Sequence, residues 1–160
     1  MREKKSVILP GSYDPVTVGH LDIIKRASER FEEVYAVIFI NPDKTYSFSL
    51  EERVKMLMLA TEELDNVIVS YSLGYVIDYM RDHGIEKIIK GYRNDADLEY
   101  EKVQADYNLK MGGYQTEFWL SDEKYSDVSS STVREMIKNG QEPQDLLVPS
   151  VWEFIKRSKE

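Results

Sequence analysis

Short apolar runs alternate with helical periodicity along the whole chain, and nothing else in the sequence limits its fold so tightly. Val7-Ile8-Leu9 reads as a strand stopped by Pro10-Gly11. From Val18 the apolar positions Leu21, Ile24, Ala27 and Phe31 fall at helical spacing. Val34 to Ile40 is continuously apolar, as in a strand buried on both faces. Ser49-Leu50-Glu51-Glu52 is a capping box that opens a helix through Met56, Leu57 and Ala60. A third strand over 67–69 and a helix over 75–81 follow, with Gly84 suited to a left-handed cap. Residues 85–90 form the fourth strand and 97–111 a helix stopped by Gly112-Gly113. Residues 116–120 make the fifth strand. A helix capped by Ser129 or Ser130 then runs to Asn139-Gly140, and 148–156 forms a last short helix. This order predicts an α/β fold in one domain over 1–160. It is a Rossmann-like, doubly wound sheet of five parallel strands with helices on both faces.

In such a sheet ligands bind beyond the carboxyl ends of the strands. Those exits are Pro10-Gly11, Asn41-Pro42, Ser72, Lys90-Gly91 and Leu120-Ser121. Several site types are excluded by what is missing. There is no G-x-G-x-x-G after the first strand, no G-x-x-x-x-G-K-[ST] and no G-x-S-x-G. Zero Cys and two His leave no disulfide, thiolate or zinc chemistry of the usual kinds, and a permanent protein-bound metal is not expected. The longest apolar run is seven residues, Val34 to Ile40, against the roughly 20 that a membrane span needs. A soluble, cytoplasmic chain with no membrane partner is expected. A net charge of −8 argues against nucleic acid, but a small anion needs only a few local cations.

The first exit carries Gly11-Ser12-Tyr13-Asp14-Pro15-Val16-Thr17-Val18-Gly19-His20. Thr17 and His20 lie three apart at a helix start, where free N–H groups and the helix dipole favour phosphate. The same position disfavours an imidazolium, which places His20 as a donor to an anion or a charge-sensitive stabiliser. The plainer reading is that Thr17 caps the helix and His20 packs. After the last strand comes Tyr125-Ser126-Asp127-Val128-Ser129-Ser130-Ser131-Thr132-Val133-Arg134, three serines at another helix start. A simple N-cap needs one.

G-[ST]-[FY]-D-P-x-T-x-G-H near one end and S-S-S-x-V-[KR]-E near the other resemble the nucleotidyltransferase superfamily of the T/H-x-G-H type. Asn41-Pro42-Asp43-Lys44, Phe48 to Arg53, and Lys90-Gly91-Tyr92-Arg93 with Asp97 to Glu101 narrow the resemblance to its phosphopantetheine adenylyltransferase family, over about residues 6–155. That resemblance implies transfer of the adenylyl group of ATP to 4′-phosphopantetheine, giving 3′-dephospho-coenzyme A and pyrophosphate. His20, Ser12 and Lys44 would act at the reacting phosphate. ATP would be held by Ser12, Tyr13, His20, Gly91, Tyr92, Arg93 and Glu101, and wrapped by Tyr125, Ser126, Asp127, Val128, Ser129, Ser130 and Ser131. Ser12, Lys44, Val76 and Lys90 would serve phosphopantetheine. Mg²⁺ held mainly by nucleotide phosphates and a homohexamer are implied too.

Two positions depart from the family pattern: Lys90 stands where Arg is usual, and Ser12 where Thr is commoner. Lys keeps the charge and loses the flat bidentate fork. Each residue also has a plainer reading. Lys44 and Lys90 read equally as solvated lysines, Arg93 as a surface partner of Asp95 or Asp97, and Glu101 as one more helix carboxylate. Nicotinamide mononucleotide adenylyltransferases and cytidylyltransferases of small phosphoalcohols share the first motif. A catalytically silent nucleotide-binding or flavodoxin-like module is the alternative from another class.

Overall fold

The computed structural model describes residues 2–158, so Met1, Lys159 and Glu160, the ends of the expected domain, lie outside the described residues. Five strands form one sheet: β1 Glu3–Gly11, β2 Phe31–Phe39, β3 Val67–Ser72, β4 Lys87–Tyr92 and β5 Thr116–Leu120. Between them run α1 Val18–Arg30, α2 Leu50–Ala60, α3 Val76–His83 and α4 Asp95–Gly112, followed by α5 Ser130–Lys138 and α6 Pro149–Ser158. The strand order is β3-β2-β1-β4-β5 and every pairing is parallel, as the alternation of periods predicts.

Side chains alternate across the sheet with period two. Val7 and Leu9 of β1, Val34, Ala36 and Ile38 of β2 and Ile89 of β4 point to one face. There they pack with Ile24 and Ala27 of α1, Met56 and Leu57 of α2, Val133 of α5, and Val151 and Ile155 of α6. Ile8, Val37 and Ile88 point to the other face, against Tyr79 and Met80 of α3. β1 is thus buried on both faces, with Val7 and Ile8 at 0% exposure and Leu9 at 4%.

Strand ends differ from the apolar runs for local reasons. β1 begins at Glu3, ahead of its apolar run, because Glu3 pairs with Phe31 across a register irregularity. Phe31 fits the helical spacing of α1, yet it opens β2: its φ is −115° and ψ 152°, and its N–H closes the helix by donating to Ala27 O. Ile85 stays outside β4 because its N–H donates to Met80 O, just after Gly84 takes the left-handed conformation at φ 67°.

Gly91 sets how closely α1 approaches β4. A Cβ there would stand 2.8 Å from Ile23 Cγ1, well inside contact distance. Gly91→Ala is expected to destabilise by roughly 1–3 kcal/mol through overpacking. Chemical denaturation of the single and double variants checks this. Gly91→Ala combined with Ile23→Ala should be less unstable than the sum of the two, and simple additivity would count against the close approach.

Candidate active site

β1 has β2 on one side and β4 on the other, so the connections leaving β1 and β4 diverge at their carboxyl ends. A cavity of about 1010 Å³ opens there. It is lined by Pro10-Gly11, Asn41-Pro42, Lys90-Gly91 and Ser121 from four of the expected exits. The β3 exit contributes Leu73, Gly74 and Tyr75 in place of Ser72.

His20 lines this cavity and also closes its own helix. Thr17 is the N-cap of α1: its hydroxyl accepts from His20 N–H at 3.3 Å, and the Thr17 N–H donates to His20 Nδ1 at 3.0 Å. The reciprocal bonds form a capping box in which imidazole replaces the usual Glu or Gln. Thr17 therefore caps the helix as its plainer reading has it, and His20 takes part in that cap while lining the cavity. Because Nδ1 accepts, the proton of a neutral ring sits on Nε2, and that N–H is the donor left for a ligand. The Tyr13 ring packs against the imidazole at 5.0 Å between centroids. Burial first, then the positive charges of Lys90 and Arg93, pull the imidazole pKa down to about 4. At neutral pH His20 is an uncharged donor.

The cations around it are themselves held. The parallel register pairs Ile8 with Ile88, which brings Pro10 level with Lys90, and the ammonium donates to Pro10 O at 3.2 Å. Glu101 of α4 lies 3.2 Å from the same Nζ. Arg93 makes a two-point ion pair with Asp97, at 2.9 and 3.2 Å, so the pairing read from spacing is present and Arg93 still lines the cavity. Lys44 is exposed on the loop after β2, with Nζ 5.5 Å from the Tyr46 ring centre.

Of the other expected residues, Ser12, Tyr13, Val76, Gly91, Tyr92, Glu101, Val128, Ser129, Ser130 and Ser131 line the cavity. Tyr125, Ser126 and Asp127 stand beside it in a turn closed by Val128 N–H donating to Tyr125 O. The three serines have three separate partners. Ser129 caps α5 by accepting from Thr132 N–H, Ser130 Oγ donates to Pro15 O at 2.7 Å, and Ser131 Oγ accepts from Arg134.

Four further cavity residues carry no role in the sequence reading. Asp14 is 4% exposed, and its carboxylate accepts from Ser47 N–H and Phe48 N–H, each at 2.9 Å. Arg134 donates to Asp14 O at 2.8 Å, so one residue ties together the starts of α1, α2 and α5. Both stood inside quoted motifs. Asn108 is buried on α4, at i+7 from Glu101 and on the same face as Gln104 at i+3, a spacing visible in the sequence. Thr116 opens β5 with Oγ1 buried and unpaired among the described residues, which no local pattern announces.

Among the described residues no group of three or more His, Asp or Glu side chains is placed to hold a metal ion, and no helix is long and apolar enough to cross a membrane. The Asp14 carboxylate is committed to the two loop amides.

Comparison with known proteins agrees with this geometry. Residues 8–136 match the family model for cytidylyltransferase-like proteins. A phosphopantetheine adenylyltransferase of Clostridium novyi (strain NT) is 46% identical over 134 residues, 83% of each chain. One from Corynebacterium efficiens is 40% identical over 151 residues, covering 94% of this chain and 95% of that one. One from Thermobifida fusca (strain YX) is 38% identical over 152 residues, or 95% and 93%. With matches of that extent on a parallel sheet opened at β1, the chain belongs to the phosphopantetheine adenylyltransferase family of the cytidylyltransferase-like nucleotidyltransferases.

Proposed function

We propose that this chain transfers the adenylyl group of ATP to 4′-phosphopantetheine, releasing pyrophosphate and 3′-dephospho-coenzyme A. The observation that carries the reading is a neutral imidazole fixed as an Nε2–H donor in a cavity bordered by Lys44, Lys90 and Arg93. A phosphate oxygen of phosphopantetheine attacks the α-phosphorus in line. The new P–O bond forms as the bond to the bridging oxygen of pyrophosphate breaks. The attacking group is already an oxyanion, so no strong base is required, and catalysis comes from positioning and charge stabilisation.

His20, Lys44 and the backbone N–H groups of Ser12 and Tyr13 donate to the transferring phosphoryl group. ATP binds along Tyr13, Gly91, Tyr92, Arg93 and Glu101, with Val128 to Ser131 closing over it and Tyr125, Ser126 and Asp127 supporting that turn. Lys90, Val76, Ser12 and Lys44 hold the acceptor. Lys90 spends donors on Pro10 and Glu101, so its remaining N–H is the one that meets the acceptor phosphate. No cluster of His, Asp or Glu among the described residues is placed to hold Mg²⁺, so a Mg²⁺ ion would be held mainly by the nucleotide phosphates and water, and would supply charge neutralisation there. The location that goes with this reading is cytoplasmic, where ATP is available as substrate. The family resemblance implies a homohexamer, and exposed apolar side chains on α4 (Tyr100, Val103, Tyr107 and Met111) and at the end of β3 (Tyr71 and Leu73) are available for contacts between copies.

Pyrophosphate release measured with ATP and a panel of acceptors tests the reading. Turnover should be fastest with 4′-phosphopantetheine; faster turnover with nicotinamide mononucleotide, or with CTP as donor, would replace it. Binding of ATP with no release from any acceptor would make the chain a nucleotide-binding module. His20→Ala should lower kcat by ~10²–10³ with a smaller change in KM for ATP. Near-wild-type turnover removes His20 from the chemistry. The His20 ring should titrate with a midpoint near 4 in the free protein, followed by its NMR signal, where a free imidazole gives about 6.5. Because the fold disfavours the charged ring, its stabilising contribution is full above pH 6.5 and is lost as pH falls toward 4. Sedimentation of the purified protein checks the assembly: a six-subunit species is expected and a monomer contradicts it.

A further inference from the structure

Among the described residues Arg53 is the one buried Lys or Arg, at 2% exposure, in the second turn of α2. No carboxylate of the described residues lies within ion-pair distance of it. Its guanidinium bonds to backbone and ring. Nη1 donates to Ser12 O at 3.1 Å, Nε donates to Phe48 O at 3.2 Å, and the guanidinium carbon lies 4.0 Å from the centre of the Tyr46 ring. A charge taken out of water without an ionic partner is costly, and the bonds it makes in return join two segments far apart in sequence. Ser12 belongs to the loop after β1, and Tyr46 and Phe48 to the loop after β2.

Both contacts reach groups that face the cavity. The Ser12 carbonyl and the Tyr13 N–H belong to one trans peptide plane and point in opposite directions. Drawing Ser12 O toward α2 therefore turns Tyr13 N–H away from α2. That N–H has no hydrogen-bond partner among the described residues. Tyr13 keeps this arrangement at φ 47°, a left-handed conformation that a bulky residue holds only where its surroundings enforce it. On the other loop the centre of the Tyr46 ring lies 4.0 Å from the Arg53 guanidinium carbon and 5.5 Å from the Lys44 ammonium. Its hydroxyl accepts from Asn41 N–H at 2.9 Å and closes the turn that carries Lys44. Arg53 itself is not among the residues lining the cavity.

We propose that Arg53, with Tyr46, is a positioning residue for adenylyl transfer: it aims the Tyr13 N–H and the Lys44 ammonium at the transferring phosphoryl group without touching substrate. The proposal rests on the adenylyl-transfer reading for its reaction. Its geometric part, that Arg53 orders these two loops, stands apart from it. Lysine at this position keeps the charge and loses the planar fork that reaches two carbonyls while stacking on a ring.

Arg53→Lys and Tyr46→Phe are tested together. Tyr46→Phe keeps the ring and removes only the bond to Asn41, so it guards against a failure of Arg53→Lys to fold. Arg53→Lys should reduce kcat by about 10- to 100-fold while KM for ATP and for the acceptor change by less than about threefold. Tyr46→Phe should act in the same direction, by about three- to tenfold. In a Lys44→Ala background Arg53→Lys should lose a large part of its effect, since one of the groups it aims is gone. Amide exchange followed by mass spectrometry should rise in the 12–14 and 41–48 segments of Arg53→Lys and little elsewhere. A lowered melting temperature with unchanged kcat, or effects of Arg53→Lys and Lys44→Ala that simply multiply, would overturn the positioning role. Unchanged exchange in both segments would overturn the geometry even if the wild-type protein proves inactive on these substrates, an outcome that counts separately against the adenylyl-transfer reading.

Discussion

Everything at the site depends on β1 being hydrogen-bonded on both edges and buried on both faces. Its register against β2 and β4 places Pro10, Val37 and Lys90 at one level, and the divergence of the neighbouring connections opens the cavity there. Val7, Ile8 and Leu9 give that strand its burial. Removing bulk from any of them would tilt the ledge from which Ser12, Tyr13 and the start of α1 project. The cavity is a product of the core, and its accuracy is inherited from core packing.

The charge of the chain illustrates how local an electrostatic argument has to be. A net −8 argues against counterion-driven binding to a polyanion, yet the cavity gathers Lys44, Lys90, Arg93 and Arg134. Two of these cations depress the His20 pKa, so their field is already expressed at the position where a phosphoryl group would sit. Within about a Debye length, roughly 8–10 Å in physiological salt, such a cluster dominates over distant carboxylates. Glu101 and Asp97 partly compensate Lys90 and Arg93, which keeps the empty cavity from carrying four unpaired charges.

What was legible in the sequence is what is encoded locally. The parallel topology follows from alternating periods, Gly84 from its left-handed turn, and the Ser49 cap from a box four residues long. Thr17 and His20 were legible for the same reason, being neighbours at one helix start, although spacing alone did not reveal that the imidazole itself accepts a backbone N–H. Arg53 ends the quoted segment from Phe48, but its contacts were not legible because its partners are Ser12, 41 residues earlier, and a loop carbonyl. Nothing in its immediate sequence separates it from a surface arginine in a capped helix. Lys90 and Glu101 were each singled out, but their contact depends on how α4 folds back over β4, a distance that spacing does not encode.

One consequence concerns the capping box at the start of α1. Because His20 both offers Nε2–H to the cavity and accepts Thr17 N–H at the helix end, its loss removes a fold element along with a functional group. On the proposed adenylyl-transfer reading, an experimenter needing an inert but fully folded control would therefore do better to alter exposed Lys44 than His20. In a survey of variants scored by cellular abundance, His20 would register as a folding residue, and the role proposed for it in adenylyl transfer would be hidden behind that signal.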